Sequence, residues 1–177
     1  DETHDGKLYN PNMPTEEIFI SPKAGDCEGT LVATKPLSYM GELIEDFSLT
    51  FVDGKVSEVK ARKNEALLKQ MVSLDEGASM LGEVALVPFN SPINETGILF
   101  YNTLFDENAC CHFAIGAGFP MTLADAGELT PQQIKERGIN ESMTHVDFMV
   151  GTSDLSIVGV TKDGQQIQIF KDGTWAI

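Results

Sequence analysis

The chain has 177 residues, of which 42% are hydrophobic and 22% are charged. This composition is enough for one globular domain with a substantial core, and it excludes a disordered or fibrous protein. Twelve Lys and Arg against 27 Asp and Glu give a formal net charge of −15, which disfavours nucleic acid and anionic membranes as partners. We therefore predict a single domain over residues 1–177 that has no nucleic-acid or membrane partner.

Signals for targeting and for disulfide bonds are absent from the sequence. No apolar run reaches the roughly 18 residues that a transmembrane helix needs. The N-terminus lacks the basic start and apolar stretch of a signal peptide, and also an initiator Met. The three cysteines form neither a CxxC motif nor an even framework. We expect a cytoplasmic location, and we expect the chain to be a piece of a longer polypeptide.

The first half of the chain predicts strands followed by a helix. Short β-rich runs at 17–21 and 29–35 follow a proline-rich start. Residues 46–60, DFSLTFVDGKVSEVK, alternate apolar and polar side chains around an Asp-Gly turn, which predicts a hairpin. Residues 61–72 are rich in helix formers and predict a helix. A second short helix is expected after Leu74, with Asp75 as its N-cap.

The second half predicts further strands around one central helix. This helix is expected over 106–115, with Asp106 as its N-cap and Gly116 at its end. The other expected elements, in chain order, are a strand at 82–88, a polar insertion at 121–142 with a helix at 131–137, and strands at 144–150, 156–161 and 165–170. Together they predict an α+β fold, a strand-rich mixed domain with a few helices.

Two of the three histidines lie in contexts that suit metal binding. His145 and Asp147 are two residues apart on a predicted strand, so they share one face. His112 lies among small apolar residues of the predicted central helix. Taken alone, each also fits a structural role. His145 and Asp147 could lie on a solvent-exposed strand face, and His112 could be a hydrogen-bonded core histidine. The HxD spacing also occurs in non-haem iron oxygenases, but these need a second histidine further along, and none follows His145.

Carboxylates lie beside apolar strands at two places. Glu16 and Glu17 precede an apolar run at 18–20, and Glu83 directly precedes another at 84–87. An acid at the edge of a buried strand needs a partner, although an exposed strand end accounts for each acid separately. Motifs of nucleotide-binding folds, α/β-hydrolases and zincins are absent.

Five motifs taken together resemble the M29 family of metallo-aminopeptidases, the thermophilic aminopeptidase group. They are NMPTEE at 12–17, ATKPL at 33–37, LGEVALVP at 81–88, GILFYNTLFDENA at 97–109 and HVDFM at 145–149. The resemblance spans nearly the whole chain but only the C-terminal part of that family's polypeptide. It implies that the family's N-terminal domain has no counterpart in this chain.

The resemblance implies an aminopeptidase that acts on peptides, forms homodimers and holds two divalent metal ions, Zn, Co or Mn. Its metal ligands fall on Glu17, Glu83, His112, His145 and Asp147. Glu16, beside the first ligand, is expected to be the general base or a water-orienting acid.

One position departs from the family's pattern. The family carries a Tyr seven residues after the ligand at position 112, and this chain has Phe119 there. A phenol able to bind a metal or to stabilise an oxyanion is therefore absent. This departure, with the missing domain, favours an alternative in which the chain is a catalytically incompetent metal-binding or dimerisation domain. The insertion at 121–142 is open to interpretation as a lid, a dimer contact or a segment without function.

Overall fold

The computed structural model of the protein describes residues 3–9 and 17–177. Over these ranges strands predominate and helices are short. The expected fold class, a strand-rich α+β arrangement with a few helices, is confirmed. No helix in these ranges has both the length and the apolar character needed to cross a bilayer.

The described ranges contain eleven strands and four α-helices. The strands are β1 (Ile18–Ile20), β2 (Gly29–Val32), β3 (Leu37–Tyr39), β4 (Glu42–Val52), β5 (Lys55–Lys63), β6 (Leu81–Leu86), β7 (His112–Gly116), β8 (His145–Met149), β9 (Ile157–Val160), β10 (Gln166–Lys171) and β11 (Thr174–Trp175). The helices are α1 (Glu65–Val72), α2 (Pro92–Glu95), α3 (Thr103–Asp106) and α4 (Pro131–Glu136). Single 3₁₀ turns occur at Gly77–Ser79, Glu107–Ala109, Pro120–Thr122 and Ala126–Glu128.

The strands form three antiparallel sheets. The central sheet has the order β1-β6-β7-β8. A second sheet has the order β2-β4-β3, and β5 also pairs with β4. The third sheet, β11-β10-β9, contains the strand pair predicted at 156–161 and 165–170. The central sheet is the one that carries the predicted ligands.

The β4–β5 hairpin turns at Asp53 and Gly54. Both residues have positive φ, 50° and 74°, which is the conformation of a two-residue hairpin turn and carries no steric penalty at glycine. The hairpin predicted at 46–60 is therefore confirmed. Its β4 strand supplies apolar side chains to the core.

The main core lies between the central sheet and this hairpin. Phe47 of β4 packs against Phe148 of β8, with ring centroids 5.6 Å apart. Leu68 and Met71 of α1 belong to the same buried cluster. Burial of each such side chain contributes about 1.5–3 kcal/mol relative to its exposure. These contacts fix the position of β8 in the fold.

Alternation along β8 separates its two faces. Val146 and Phe148 belong to the core, so His145 and Asp147 point to the opposite face. The strand predicted at 144–150 is confirmed by β8.

The helix predicted over 106–115 is wrong. Helix α3 ends at Asp106, a single 3₁₀ turn follows, and His112 begins strand β7. The Asp106 carboxylate does not cap a following helix, because it accepts hydrogen bonds from the upstream N–H groups of Phe100 and Asn102. Pairing with β6 and β8 on its two sides holds β7 extended and overrides the local helical pattern. His112 therefore lies on a strand, not on a central helix.

The short helix predicted after Leu74 is also wrong. A single 3₁₀ turn at Gly77–Ser79 takes its place, because β6 begins as early as Leu81. Asp75 still caps this turn, since its carboxylate accepts a hydrogen bond from the Ala78 N–H at 2.8 Å.

Two predicted helices are present with small changes. The helix expected at 61–72 begins at Glu65, because β5 continues through Lys63. The helix expected in the polar insertion is α4, and it begins with a capping box between Thr130 and Gln133.

Candidate metal centre

Five potential metal ligands approach one another on the face of the central sheet opposite to Phe148. They are Glu17, which precedes β1, Glu83 in β6, His112 in β7, and His145 and Asp147 in β8. These strands are direct neighbours in the sheet. The structure therefore brings together the five residues for which metal ligation was predicted, although they are far apart in the sequence.

Strand register explains how the ligands meet. Glu83 is opposite Ala114, and Ala114 is opposite Asp147. One row across three strands thus carries a carboxylate on each side of a methyl group. His112 is two residues before Ala114 on β7, so it shares this face. The small, fully buried side chain of Ala114 leaves space between the ligands.

The ligands form two groups that share Glu83. Glu17, Glu83 and His112 make one group, and Glu83, His145 and Asp147 make the other; within each, the potential ligand atoms lie within 4.8 Å of one another. His145 Nε2 is 3.2 Å from Glu83 Oε2 and 3.4 Å from Asp147 Oδ1. His112 Nε2 is 3.4 Å from Glu17 Oε1. Because a carboxylate has two oxygens, Glu83 can serve both groups.

Backbone carbonyl groups orient both imidazoles. His112 Nδ1 lies 3.1 Å from the Cys110 carbonyl oxygen, and His145 Nδ1 lies 2.7 Å from that of Ala117. A carbonyl oxygen only accepts, so Nδ1 is the donor in each contact. This leaves Nε2 of each ring directed at the carboxylates, which is the arrangement common among metal-binding histidines.

The carboxylates raise the pKa of both histidines. Burial alone would lower the pKa of His112, but the neighbouring Glu17 and Asp147 carboxylates outweigh it and raise the pKa to about 9. Burial also acts to lower the pKa of His145, and the carboxylates of Asp147 and Glu83 raise it to about 10. Without a cation, both imidazoles therefore hold a second proton at neutral pH. A metal ion must displace these protons when it binds.

The pKa values of the two buried acids, Glu83 and Asp147, shift in opposite directions. Burial raises the pKa of Glu83, and the contact with His145 only partly offsets this. Burial also acts to raise the pKa of Asp147, but attraction to the His145 imidazolium outweighs it and lowers the pKa. Asp147 therefore keeps its negative charge, which suits it to bind a cation, while the charge on Glu83 is costly without one.

The Asp147 carboxylate supports a cation site in particular. Its Oδ1 atom is buried and accepts no hydrogen bond from any residue in the described ranges; its contact with His145 is an ion pair. A buried polar atom without a donor costs about 1–3 kcal/mol, and more when charged. Carboxylates and imidazoles are ligands that zinc, cobalt and manganese accept in proteins. The residues present therefore fit divalent metal ions.

Two further residues of the sequence prediction have different outcomes. Glu16, the expected general base, lies outside the described residues, and its role stays a prediction. Phe119, the departure from the family's pattern, lies beside the site: its ring centroid is 4.8 Å from that of His145. The ring also meets Phe19 edge-on at 5.5 Å. The change from Tyr to Phe therefore falls against one of the candidate ligands.

Gly82 has a role that the sequence reasoning missed. A Cβ atom at this position would lie 2.2 Å from the Ala117 carbonyl oxygen, which is the acceptor for His145. The register between β6 and β7 also shifts between Leu81 and Glu83. A glycine within an apolar strand and next to a candidate ligand was the available signal, because such a glycine often marks close backbone approach.

Comparison with known proteins assigns the chain to a family. A family model described as thermophilic metalloprotease (M29) matches residues 1–175. The chain belongs to the M29 metalloprotease family. The family predicted from the sequence motifs is therefore confirmed. Curated proteins similar to this chain are named as aminopeptidases.

The individual M29 relatives are longer than this chain. Aminopeptidase AmpS of Bacillus subtilis (strain 168) is 48% identical over 171 residues, which are 97% of this chain and 42% of that protein. Aminopeptidase T of Thermus thermophilus is 41% identical over 175 residues, 99% of this chain and 42% of that protein. The solved structure of wild-type AmpT from Thermus thermophilus superposes with a TM-score of 0.88 at 40% identity, covering all of this chain and 43% of that one. The chain thus spans about two fifths of the length of these relatives.

Proposed function

We propose that the protein to which this chain belongs is a metal-dependent aminopeptidase that removes N-terminal residues from peptides at a two-metal centre. The observation that carries the proposal is the arrangement of five ligands in two groups with Glu83 in common. Membership of a metalloprotease family and the aminopeptidase names of its relatives support the same reaction.

Each group supplies the ligands for one cation. Glu17 and the Nε2 atom of His112 would hold one ion, and Asp147 and the Nε2 atom of His145 would hold the other. Glu83, which belongs to both groups, would supply a ligand to each ion. When bound, two such ions polarise a peptide carbonyl and lower the pKa of a water molecule.

The proposed centre suits a substrate with a free amine. Three carboxylates, Glu17, Glu83 and Asp147, lie beside two imidazoles, and two divalent ions would more than neutralise them. A free α-amino group, whose pKa is about 8, is available in its neutral form near neutral pH and could bind to such an ion. An endopeptidase substrate offers no such amine at the scissile bond, so this chemistry supports an exopeptidase.

Glu16 is our candidate for the proton transfers. A carboxylate beside a ligand can accept a proton from water and return it to the leaving amine. In this proposal Glu16→Gln keeps the metal ligands and loses turnover. Retained metal content with lost hydrolysis would support the role, whereas unchanged hydrolysis would exclude it.

A catalytically incompetent metal-binding or dimerisation domain is the second candidate. The observation that favours it is Phe119, an apolar ring against His145 at the position where the family pattern has a phenol. The proposed homodimer is common to both candidates, and the exposed side chains of Ile18 and Ile20 on β1, at one edge of the central sheet, are compatible with it. A cytoplasmic location remains part of the proposal.

Hydrolysis of aminoacyl-p-nitroanilides separates the two candidates. We expect turnover in the presence of Zn, Co or Mn, and none in Glu83→Ala, because this change removes the ligand common to both groups. Glu58→Ala is the matched control, since Glu58 is an exposed acid that pairs with Lys60. Turnover retained by metal-replete Glu83→Ala would contradict the aminopeptidase mechanism. A metal-independent dimer without turnover would favour the second candidate.

A further inference from the structure

We propose that Asn140 is a positioning residue for His145, acting through the carbonyl group of Ala117. The inference rests on the proposed function, because it concerns one of the two ligand groups. Asn140 follows α4 and is only 4% exposed, so its side-chain amide must find its partners inside the protein.

Asn140 forms hydrogen bonds with the backbone on both sides of Ala117, as a donor on one side and as an acceptor on the other. The Asn140 Nδ2 group donates to the Gly116 carbonyl oxygen at 2.6 Å and to that of Gly77 at 2.8 Å. The backbone carbonyl oxygen of Asn140 accepts a hydrogen bond from the Gly118 N–H at 2.9 Å. The residues immediately before and after Ala117 are thus attached to the same residue.

Ala117 is the point at which the end of β7 meets His145. Its N–H donates to the Thr144 carbonyl oxygen at 2.7 Å, and its own carbonyl oxygen accepts from His145 Nδ1 at 2.7 Å. The backbone leaves the strand here, since Gly116 has a φ of +100°. The register pairing of β7 with β8 ends at Gly116 and His145. The amide of Asn140 therefore adds a hydrogen bond to the Gly116 carbonyl group at the place where regular pairing ends.

Gly82 confines the same carbonyl group from the other side. A Cβ atom there would lie 2.2 Å from the Ala117 oxygen and 2.4 Å from the Gly116 oxygen. Asn140 and Gly82 together leave the Ala117 carbonyl little freedom to rotate. Because Gly82 directly precedes Glu83, this contact also fixes the distance between two ligands of one group, Glu83 and His145.

The chemistry of asparagine suits this position. A neutral side-chain amide offers two N–H donors in a fixed plane, and here they serve two buried carbonyl groups. Alanine at this position would remove the side-chain donor to the Gly116 carbonyl group. The Gly77 carbonyl group would keep its hydrogen bond from the Met80 N–H at 3.0 Å. The Ala117 peptide could then rotate, and the imidazole of His145 would lose its fixed orientation toward Glu83 and Asp147. His112 has its own acceptor, the Cys110 carbonyl oxygen, so its group keeps its geometry.

The first test is a metal titration of the chain with Co²⁺ or Zn²⁺ in competition with a chromophoric chelator. We expect Asn140→Ala to weaken one of two binding events by about 10-fold, which is the lower end of the effect of removing an outer partner of a ligand, and to leave the other unchanged. Asn140→Ser is a smaller change and keeps the experiment informative if the alanine variant does not fold. Asn94→Ala is the matched control, because its side-chain amide also donates to a backbone carbonyl, that of Phe89, away from the ligands.

The second test needs no metal. In ¹⁵N-resolved NMR spectra of the metal-free chain, the Nδ1–H proton of His145 should exchange with water roughly 10-fold faster in Asn140→Ala than in the unchanged chain, as the loss of one hydrogen bond that restrains local opening predicts. The exchange rate of the His112 Nδ1–H proton should not change in Asn140→Ala. In the Asn94→Ala control, the exchange rate of the His145 Nδ1–H proton should equal that of the unchanged chain. Equal exchange of the His145 proton in all variants would overturn the positioning role. Absence of metal binding by the unchanged chain would instead count against the proposed function.

Discussion

On β8, Asp147 and Phe148 are consecutive and both are buried, yet they lie on opposite faces of the central sheet. Phe148 packs against Phe47 in the core. Asp147 faces His145 and the carboxylate of Glu83. The same strand therefore supports an apolar layer and a charged layer at similar burial.

The two faces contribute to the protein in opposite ways. Burial of apolar side chains stabilises the fold. Burial of charges costs stability unless each is paired and hydrogen-bonded, and a buried ion pair is weak evidence for stability. The charged face leaves Asp147 Oδ1 without a hydrogen-bond donor among the described residues. We infer that this face is maintained for ligand binding, and that stability comes from the other.

Phe148→Ala should have the largest effect on stability. The change removes a fully buried ring and leaves a cavity, so we expect the free energy of unfolding of the metal-free chain to fall by about 3–5 kcal/mol. Urea unfolding measures it. Asp147→Asn, the neighbouring change on the charged face, should cost clearly less. An equal or larger loss for Asp147→Asn would contradict the division of roles between the faces.

Asp147→Asn should have its main effect on metal binding. The change removes a proposed ligand itself, so we expect the affinity of its group for a divalent ion to fall by at least about 100-fold, the upper end of the effect of changing an outer partner. The group of Glu17, Glu83 and His112 should still bind. Calorimetric titration checks this, with Asp26→Asn as an exposed control. Equal binding by Asp147→Asn and the unchanged chain would exclude Asp147 as a ligand.

Ala114→Val tests the space between the ligands. The added methyl groups would enter the row between Glu83 and Asp147, so we expect a stability loss of about 1–3 kcal/mol and weaker metal binding. Ala114→Gly keeps the space and should retain metal binding, with a loss of about 0.5–1 kcal/mol from backbone entropy. If valine at this position left metal affinity unchanged, the space above Ala114 would not be part of the site.

The pH dependence of stability distinguishes the metal-free from the metal-bound chain. The folded pKa values of His112 and His145, about 9 and about 10, lie above the ordinary value of 6.5. Their contribution to stability is therefore fully present below pH 6.5 and is lost as the pH rises through the folded values. We expect the metal-free chain to lose stability over this interval and metal affinity to rise, because protons no longer compete. Denaturant unfolding at several pH values, with and without Zn²⁺, measures both; a flat profile for the metal-free chain would count against the buried charge cluster.

Phe119→Tyr should have the smallest effect on the fold, and it tests the departure from the family's pattern. The ring is retained against His145 and a hydroxyl group is added at the edge of the site. A hydrogen-bond donor near a developing oxyanion accelerates hydrolysis, so we expect kcat to rise by roughly 10-fold. This gain is smaller than the loss of kcat that follows removal of a well-placed donor from an established oxyanion hole. Phe119→Leu is the control without a ring. Unchanged kcat in the tyrosine variant would indicate that the hydroxyl group does not reach the reaction.

The parts of the fold set by local sequence were predictable. The Asp53-Gly54 turn with its alternating flanks predicted the β4–β5 hairpin, and Thr130 predicted the start of α4. The helix predicted over 106–115 failed because β7 is held by β6 and β8, which are distant in the sequence. Local propensity carries no information about such pairing.

The candidate site was predictable in its members but not in its geometry. The motifs named Glu17, Glu83, His112, His145 and Asp147 through the family resemblance. The sharing of Glu83 and the row through Ala114 depend on strand register. The contacts of Phe119 and Asn140 depend on how loops return to the sheet, and no short pattern encodes them.

The metal content of the purified chain tests the central claim most directly. After incubation with Zn²⁺, Co²⁺ or Mn²⁺ and removal of excess metal, elemental analysis should find two ions per chain, and none in Glu83→Ala, because both groups depend on that carboxylate. Two ions retained in Glu83→Ala, or no ion in the unchanged folded chain, would contradict the account of a shared two-metal centre.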